Sequence, residues 1–349
     1  MTVGRGKRSF GHGWARTALA PFLLCVLAAP AQPAAGPGSQ QAARAALSWP
    51  EPPAPARVAF VRVLTPAVAG GRPSRLRRVL DAITGGSSVT PALAQPHGIA
   101  VDDAGQVFVA DTFAGMIHVF DVPREKYSTL RVAGRSLIGV ATIGDRLFVT
   151  DSADARVTCL DKKGRRIWSV GREAGFKRPT GIVADGDRLH VVDTLAHQVV
   201  TVGLAGEVTG RFGSHGSDPG QFNFPTSIAR GPNGRLYVTD SMNFRIETYT
   251  PDGIYQGGFG EIGDGSGDFG RPKGVALDGD GHVYVVEGLA DVVQIFDWSG
   301  RFLLAFGEPG AGEGQFWLPT AIAIRDDVIY VADTANRRVQ VFRYLKERP

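Results

Sequence analysis

The sequence predicts an all-β fold: a six-bladed β-propeller of four-stranded blades, closed by an N-terminal strand. Three observations predict it. An acidic residue ends a β-branched, strand-like run six times: VFVADT (Asp111), LFVTDS (Asp151), LHVVDT (Asp193), LYVTDS (Asp240), VYVVEG (Glu287) and IYVADT (Asp333). These landmarks are spaced by 40, 42, 47, 47 and 46 residues, a period that fits a propeller blade of short strands and not a helical solenoid. The last unit supplies only three strands, while an orphan strand candidate, Arg57–Leu64, lies upstream of the first.

Each unit divides in the same way. In the fifth, 274–278, 282–287, 292–297 and 301–306 are strands, separated by turns rich in Gly, Asp and Ser. Alternating apolar residues between such turns form an antiparallel meander. A glycine-rich link then leads to the next unit in FGSHGSDPGQFNFP (212–225), FGEIGDGSGDFGRP (259–272) and FGEPGAGEGQFWLP (306–319). The units fall near 96–136, 137–177, 178–223, 224–270, 271–317 and 318–349. Placing 57–64 beside Val339–Tyr344 completes the sixth blade, removes an exposed sheet edge and ties the ends together. Residues 65–95 then form a long connection, in which Leu76, Val79, Leu80 and Ile83 have the spacing of a short helix over 74–83.

Strand motif and link motif recur together, in order, over roughly residues 96–345. The combination resembles the NHL repeat: Pro-x-Gly before the first strand, Asp-Ser/Thr after the second, Arg opening the third, and Gly-x-Phe-x-x-Pro closing the link. The resemblance implies a propeller whose ligands are proteins, peptides or occasionally RNA. WD40 and kelch repeats are disfavoured, since neither Gly-His…Trp-Asp pairs nor double-glycine strands recur.

The chain's N-terminus has a different character. Arg5, Lys7, Arg8 and Arg16 precede an apolar run, Ala18–Ala29, and the small residues Ala29-Pro-Ala31. Residues 1–31 therefore read as a secretory signal peptide, too short in its apolar run to span a bilayer. The protein is expected to be exported, periplasmic or secreted, and not integral to the membrane. A lipid anchor on Cys25 is disfavoured, because Phe22 and Leu24 depart from the small residues that lipoprotein processing prefers. Residues 32–54, rich in Pro and Ala, read as a tether. The formal charge of +4 comes from 38 basic and 34 acidic residues; removing the four basic residues of 1–31 leaves 34 of each. No nucleic-acid footprint follows from that balance. Cys159 is expected to be a small buried hydrophobe on a third strand.

The repeated acid looks like a site because it recurs, yet recurrence in every blade marks a structural device. It is expected to accept turn N–H groups and, in Asp151–Arg156, Asp240–Arg245 and Asp333–Arg338, to pair with the base five residues on. Gly265–Gly270 matches a dinucleotide-loop pattern but has no βαβ context, and Asp264 and Asp268 would repel phosphate. The same loop offers side-chain oxygens at Asp264, Ser266 and Asp268 for calcium, without the distal bidentate Glu of an EF-hand. Six-bladed propellers similar to the peptidyl-α-hydroxyglycine lyases hold zinc with histidines from several Pro-His-x motifs; this chain has one, Pro96-His97-Gly98. Ile138, Thr180, Thr226, Lys273 and Thr320 stand at the other five positions, and one imidazole does not make a zinc site. A calcium-dependent lactonase needs inward carboxylates and amides, which the spacing does not assign. No catalytic residue, metal ligand or cofactor is therefore assigned.

What remains is a binding surface. First-strand starts and the turns after second strands emerge on one side of a propeller. That side gathers His97, Thr180, Thr226, Lys273 and Thr320 around the channel, with Phe113, Leu195, Met242 and Leu289 in turns that are normally polar. Large apolar residues beside polar groups suit a protein or peptide partner. The expected function is a protein- or peptide-binding module rather than an enzyme. The alternative is a metal-dependent, lyase- or lactonase-like enzyme using the channel.

Overall fold

A computed structural model describes residues 47–51, 53–69 and 92–346. The segment read as a signal peptide, Cys25, most of the segment read as a tether and the helix expected over 74–83 lie outside the described residues. Within them the chain is almost entirely β, with one short α-helix at Pro66–Ala69 and three single-turn 3-10 helices. Six sheets stand around an axis, five of them four-stranded antiparallel meanders in chain order. The six innermost strands are Pro96–Val101, Leu137–Ile143, Pro179–Asp185, Pro225–Arg230, Pro272–Leu277 and Pro319–Arg325. Each neighbours the next, and the sixth neighbours the first, so the ring is closed.

Closure occurs where the strand count required it. Val58–Leu64 lies antiparallel to Arg338–Tyr344, pairing Val58 with Tyr344 and Leu64 with Val339. The sixth sheet then gains a fifth strand, Ser48–Trp49, from the segment whose composition suggested a tether. Trp49 earns its place by packing: its ring centroid lies 6.0 Å from that of Phe306 and 5.7 Å from that of Phe342. Phe60 meets Phe342 edge-on at 5.7 Å.

The core lies between blades. Buried aliphatics of facing sheets, such as Val149, Leu160 and Ile117, interlock in clusters that each span a blade boundary. The links insert an aromatic wedge into these seams: Phe222, Phe269 and Phe316 are fully buried. Phe269 meets Phe296 at 5.5 Å, and Phe316 meets Phe342 at 5.6 Å. Gly260 and Gly307 show why the links open on Phe-Gly. Both have φ in the left-handed region, and a Cβ at either would sit 2.3–2.4 Å from the wedge ring; only glycine fits. Cys159 is buried on the third strand of blade 2, among apolar neighbours.

The landmark acids anchor the links. Asp111 accepts N–H groups from Ala94 and Gln95, Asp193 from Lys177 and Arg178, and Glu287 from Gly270 and Arg271. The expected pairings Asp240–Arg245 (3.0 Å) and Asp333–Arg338 (2.6 Å) form. Asp151–Arg156 does not form among the described residues. Blade 2 is reached by a short link, and Asp151 is filled instead by the N–H groups of Arg135, Ser136, Ala153 and Asp154.

The Ser or Thr after each acid has a further role. Thr112 donates to the Leu137 carbonyl, Ser152 to Pro179, Thr194 to Pro225, Ser241 to Pro272 and Thr334 to Pro96, all at 2.6–2.7 Å. Each bond staples a blade to the first strand of the next, and the last one closes the ring. Blade 5 has Gly288 at this position and lacks the staple.

Candidate functional site: the channel mouth

The second residue of each inner strand points into the channel because the strands start at the axis in the same register. His97, Ile138, Thr180, Thr226, Lys273 and Thr320 form one ring and line one cavity of about 630 Å³. The strands approach closely behind that ring. A Cβ at Gly98 would lie 2.3 Å from the Ile138 carbonyl oxygen, and one at Gly139 2.3 Å from that of Thr180. Deeper along the strands, Ile99, Val140, Ile182, Ile228, Val275 and Ile322 give the cavity an aliphatic lower wall.

Two of the three ring threonines are committed to the scaffold. Thr180 and Thr194 share a hydrogen bond at 2.8 Å, as do Thr320 and Thr334 at 2.7 Å. Thr226 Oγ1 is buried against the channel without a partner. His97 is half-buried, and burial first, then Lys273 and Arg178, lower its pKa to about 4. It is therefore a neutral imidazole near pH 7. Burial also lowers the Lys273 pKa, assisted by Arg271 and Arg178.

Of the nine residues singled out from the sequence, His97, Thr180, Thr226, Met242, Lys273 and Thr320 line this cavity. Phe113, Leu195 and Leu289 stand on the rim outside it. All four turn apolars face solvent: Phe113 is 82% exposed, Leu289 71%, Met242 53% and Leu195 45%. Sequence reasoning missed the residues just before the inner-strand prolines. Arg178, Phe224 and Arg271 line the cavity, and Leu318 is exposed at the equivalent position, with Trp317 beside it. The available signal was the Phe-x-x-Pro ending of the links, whose x residues vary while the Phe and Pro hold. Phe224 and Leu318 adopt left-handed φ values of 50° and 49°, rare for bulky residues. The Phe224 N–H donates to His197 Nδ1 (3.2 Å), and that of Leu318 to Asp291 Oδ1 (2.8 Å). These bonds hold both turns in place.

Charge at the mouth is one-sided. Arg178, Arg271 and Lys273 line the cavity, and no carboxylate among the described residues does. None of the three side chains has an ion-pair or hydrogen-bond partner among the described residues. The cavity wall offers a metal one imidazole beside three cations, a donor set that does not fit zinc or calcium. The one converging trio of metal-type donors among the described residues is Asp278, Asp280 and His282, far along blade 5. These groups are engaged internally: His282 Nδ1 and Tyr284 Oη lie 2.7 and 3.0 Å from Asp278 Oδ2, and Lys346 lies 3.2 Å from Asp280.

Comparison with known proteins agrees with the architecture. The NHL repeat profile matches residues 93–120, 222–249 and 316–342. Solved structures with the same fold include virginiamycin B lyase from Staphylococcus aureus, at 17% identity and a TM-score of 0.56 over 74% of this chain and 97% of that one. A gluconolactonase from Xanthomonas campestris aligns at 17% identity and a TM-score of 0.58, covering 73% and 87%. The calcium-binding protein regucalcin from Agrobacterium tumefaciens aligns at 14% and 0.57, covering 74% and 93%.

Proposed function

We propose, from the premise that this chain is an NHL-repeat six-bladed propeller, that it is an exported binding module taking a protein or peptide partner on its channel-mouth face. One observation carries the reading: exposed Phe113, Leu195, Phe224, Met242, Leu289, Trp317 and Leu318 surround a cavity whose three cations have no partner among the described residues. Seven large apolar side chains on one rim exceed what scattered surface hydrophobics require. The unpaired cations favour a partner that presents an acidic group to the channel, and the aliphatic wall beneath favours an apolar side chain beside it.

Enzymes occur among the similar folds, but fold alone does not carry activity to this chain, and the cavity wall lacks the donors of a channel metal site. Parent protein and the variant with Phe113, Leu195, Met242 and Leu289 changed to Ser test the reading together. Both should melt alike, because the four side chains are exposed. Acidic-apolar peptides selected on the parent from a displayed library should lose at least about 2 kcal/mol of binding on the variant. Selected peptides that bind both proteins equally would overturn it. So would a stoichiometric, tightly held metal ion in the purified protein, which would favour a metal-dependent, lyase- or lactonase-like channel enzyme.

A further inference from the structure

Blades 4 and 6 fill the space under their glycine-rich links with side chains from their own landmark turns. In blade 4, Asn243 donates to the Gly216 carbonyl at 2.9 Å. Arg245 donates to the carbonyls of Ser217, Asp218 and Gln221 at 2.8, 3.1 and 2.9 Å, while its Nε meets Asp240 at 3.0 Å. Blade 6 repeats the set. Asn336 donates to Gly310 at 2.8 Å, and Arg338 to Ala311, Gly312 and Gln315 at 2.8, 2.6 and 2.7 Å, with Nε at 2.6 Å from Asp333. The same oxygens thus hold a guanidinium twice in one molecule.

Blade 5 keeps the link and the acid but not the base. Ala290 and Val292 stand where Asn and Arg stand in the sister blades, and the equivalent link residues are Gly263, Asp264, Gly265 and Asp268. Those four, with Glu287 and Val292, line a cavity of about 370 Å³. The link has also become more acidic. Asp264 replaces Ser217 and Ala311, and Asp268 replaces Gln221 and Gln315. Three carboxylates therefore line the cavity, and no Lys or Arg among the described residues does.

We propose that this cavity receives the guanidinium of an arginine side chain from a partner, which takes the contacts that Arg245 and Arg338 make inside blades 4 and 6. A planar fork of five donors matches several carbonyls and a carboxylate at once, as the two sister blades demonstrate. An ammonium concentrates its donors at one point and reaches fewer of these oxygens. A divalent ion needs its ligands to converge, and Asp264, Asp268 and Glu287 do not form such a converging group. Gly270 borders both this cavity and the channel, so the bound arginine would lie beside the mouth. The inference does not depend on what the channel itself binds.

The test uses the full chain and three probes: Nα-acetyl-arginine amide, Nα-acetyl-lysine amide and calcium chloride. Amide chemical shifts of Gly263, Gly265 and Gly267 report occupancy. The arginine probe should shift them saturably and bind at least about tenfold more tightly than the lysine probe, a difference of about 1.4 kcal/mol. The variant Val292→Arg with Ala290→Asn should fill the cavity from within, abolish the arginine response and melt above the parent. Equal affinity for the two amino-acid probes would overturn the proposal, as would saturation by calcium alone. So would a folded double variant that binds the arginine probe as the parent does.

Discussion

Gly288→Ser should strengthen the boundary between blades 5 and 6. Five of the six blade boundaries carry a hydroxyl staple at 2.6–2.7 Å; the sixth has Gly288 facing the acceptor. A Cβ built there lies 3.5 Å from the Pro319 carbonyl oxygen, and the backbone is outside the left-handed region. Serine therefore places its Oγ within reach of the same acceptor that its counterparts use. The new hydrogen bond is worth about 1 kcal/mol net, and loss of glycine's freedom in the unfolded chain adds about 0.4–1 kcal/mol. Against this, Lys273 Cγ lies 3.2 Å from the new Cβ and must shift by a few tenths of an ångström, which a flexible stem permits. The net gain is about 1–2 kcal/mol, or roughly 2–4 °C for a domain of this size. Gly288→Ala isolates the backbone part, and Ser241→Ala removes an existing staple. Urea and thermal melts of the four proteins should rank Gly288→Ser above Gly288→Ala, and that above the parent, with Ser241→Ala lowest. A serine variant no more stable than the alanine variant would refute the staple as the source of inter-blade cohesion.

Glu247→Gln with Tyr249→Phe should be tolerated and raise stability at pH 7, because Gln294 with Phe296 and Gln340 with Phe342 hold the same positions in the sister blades. There the glutamines bond the same link groups, and no tyrosine hydroxyl needs the carboxylate. Burial raises the Glu247 pKa above 4.5, so the folded chain binds that proton more tightly than the unfolded one. Stability from this group is present below 4.5 and lost as pH rises through the folded value. The variant's advantage in urea melts should therefore shrink on acidification, and an advantage independent of pH would contradict the assignment. His97 should titrate at about 4 by imidazole NMR, and Lys273→Met should raise that value while burial keeps it below 6.5. An unchanged His97 titration would place Lys273 outside the channel.

The fold was legible because it is written as period and count. Six landmarks fixed six blades, and a sixth unit one strand short required Val58–Leu64 to close the ring. The site was only half legible. Position in the repeat placed Thr226 and Lys273 on the channel, since register carries every second residue of an inner strand to the axis. It could not mark Arg178 or Arg271, which belong to links of variable length and reach the mouth only because a proline fixes the turn after them. The staple hydroxyls recur after the landmark acids, but their role was not readable, for their acceptors are backbone carbonyls in the next blade. Trp49 was hidden by proline-rich surroundings that resemble a linker until its ring meets Phe306 and Phe342. Arg156 has the spacing of Arg245, but no long link lies over it to supply carbonyls, so spacing alone misassigned its partner.

The closing strand has a kinetic consequence. Val58–Leu64 precedes every blade in the chain, yet its partner, Arg338–Tyr344, follows them all. The last inner-strand junction and the Thr334–Pro96 bond depend on the same ends. Contacts so distant in sequence form slowly, because the loop between them must be ordered first. Until they form, the last blade presents an open edge, the Arg338–Tyr344 strand with its buried Phe342, and the first blade an uncovered apolar face. The chain is therefore most prone to self-association just before completion, when nearly all of it is already folded.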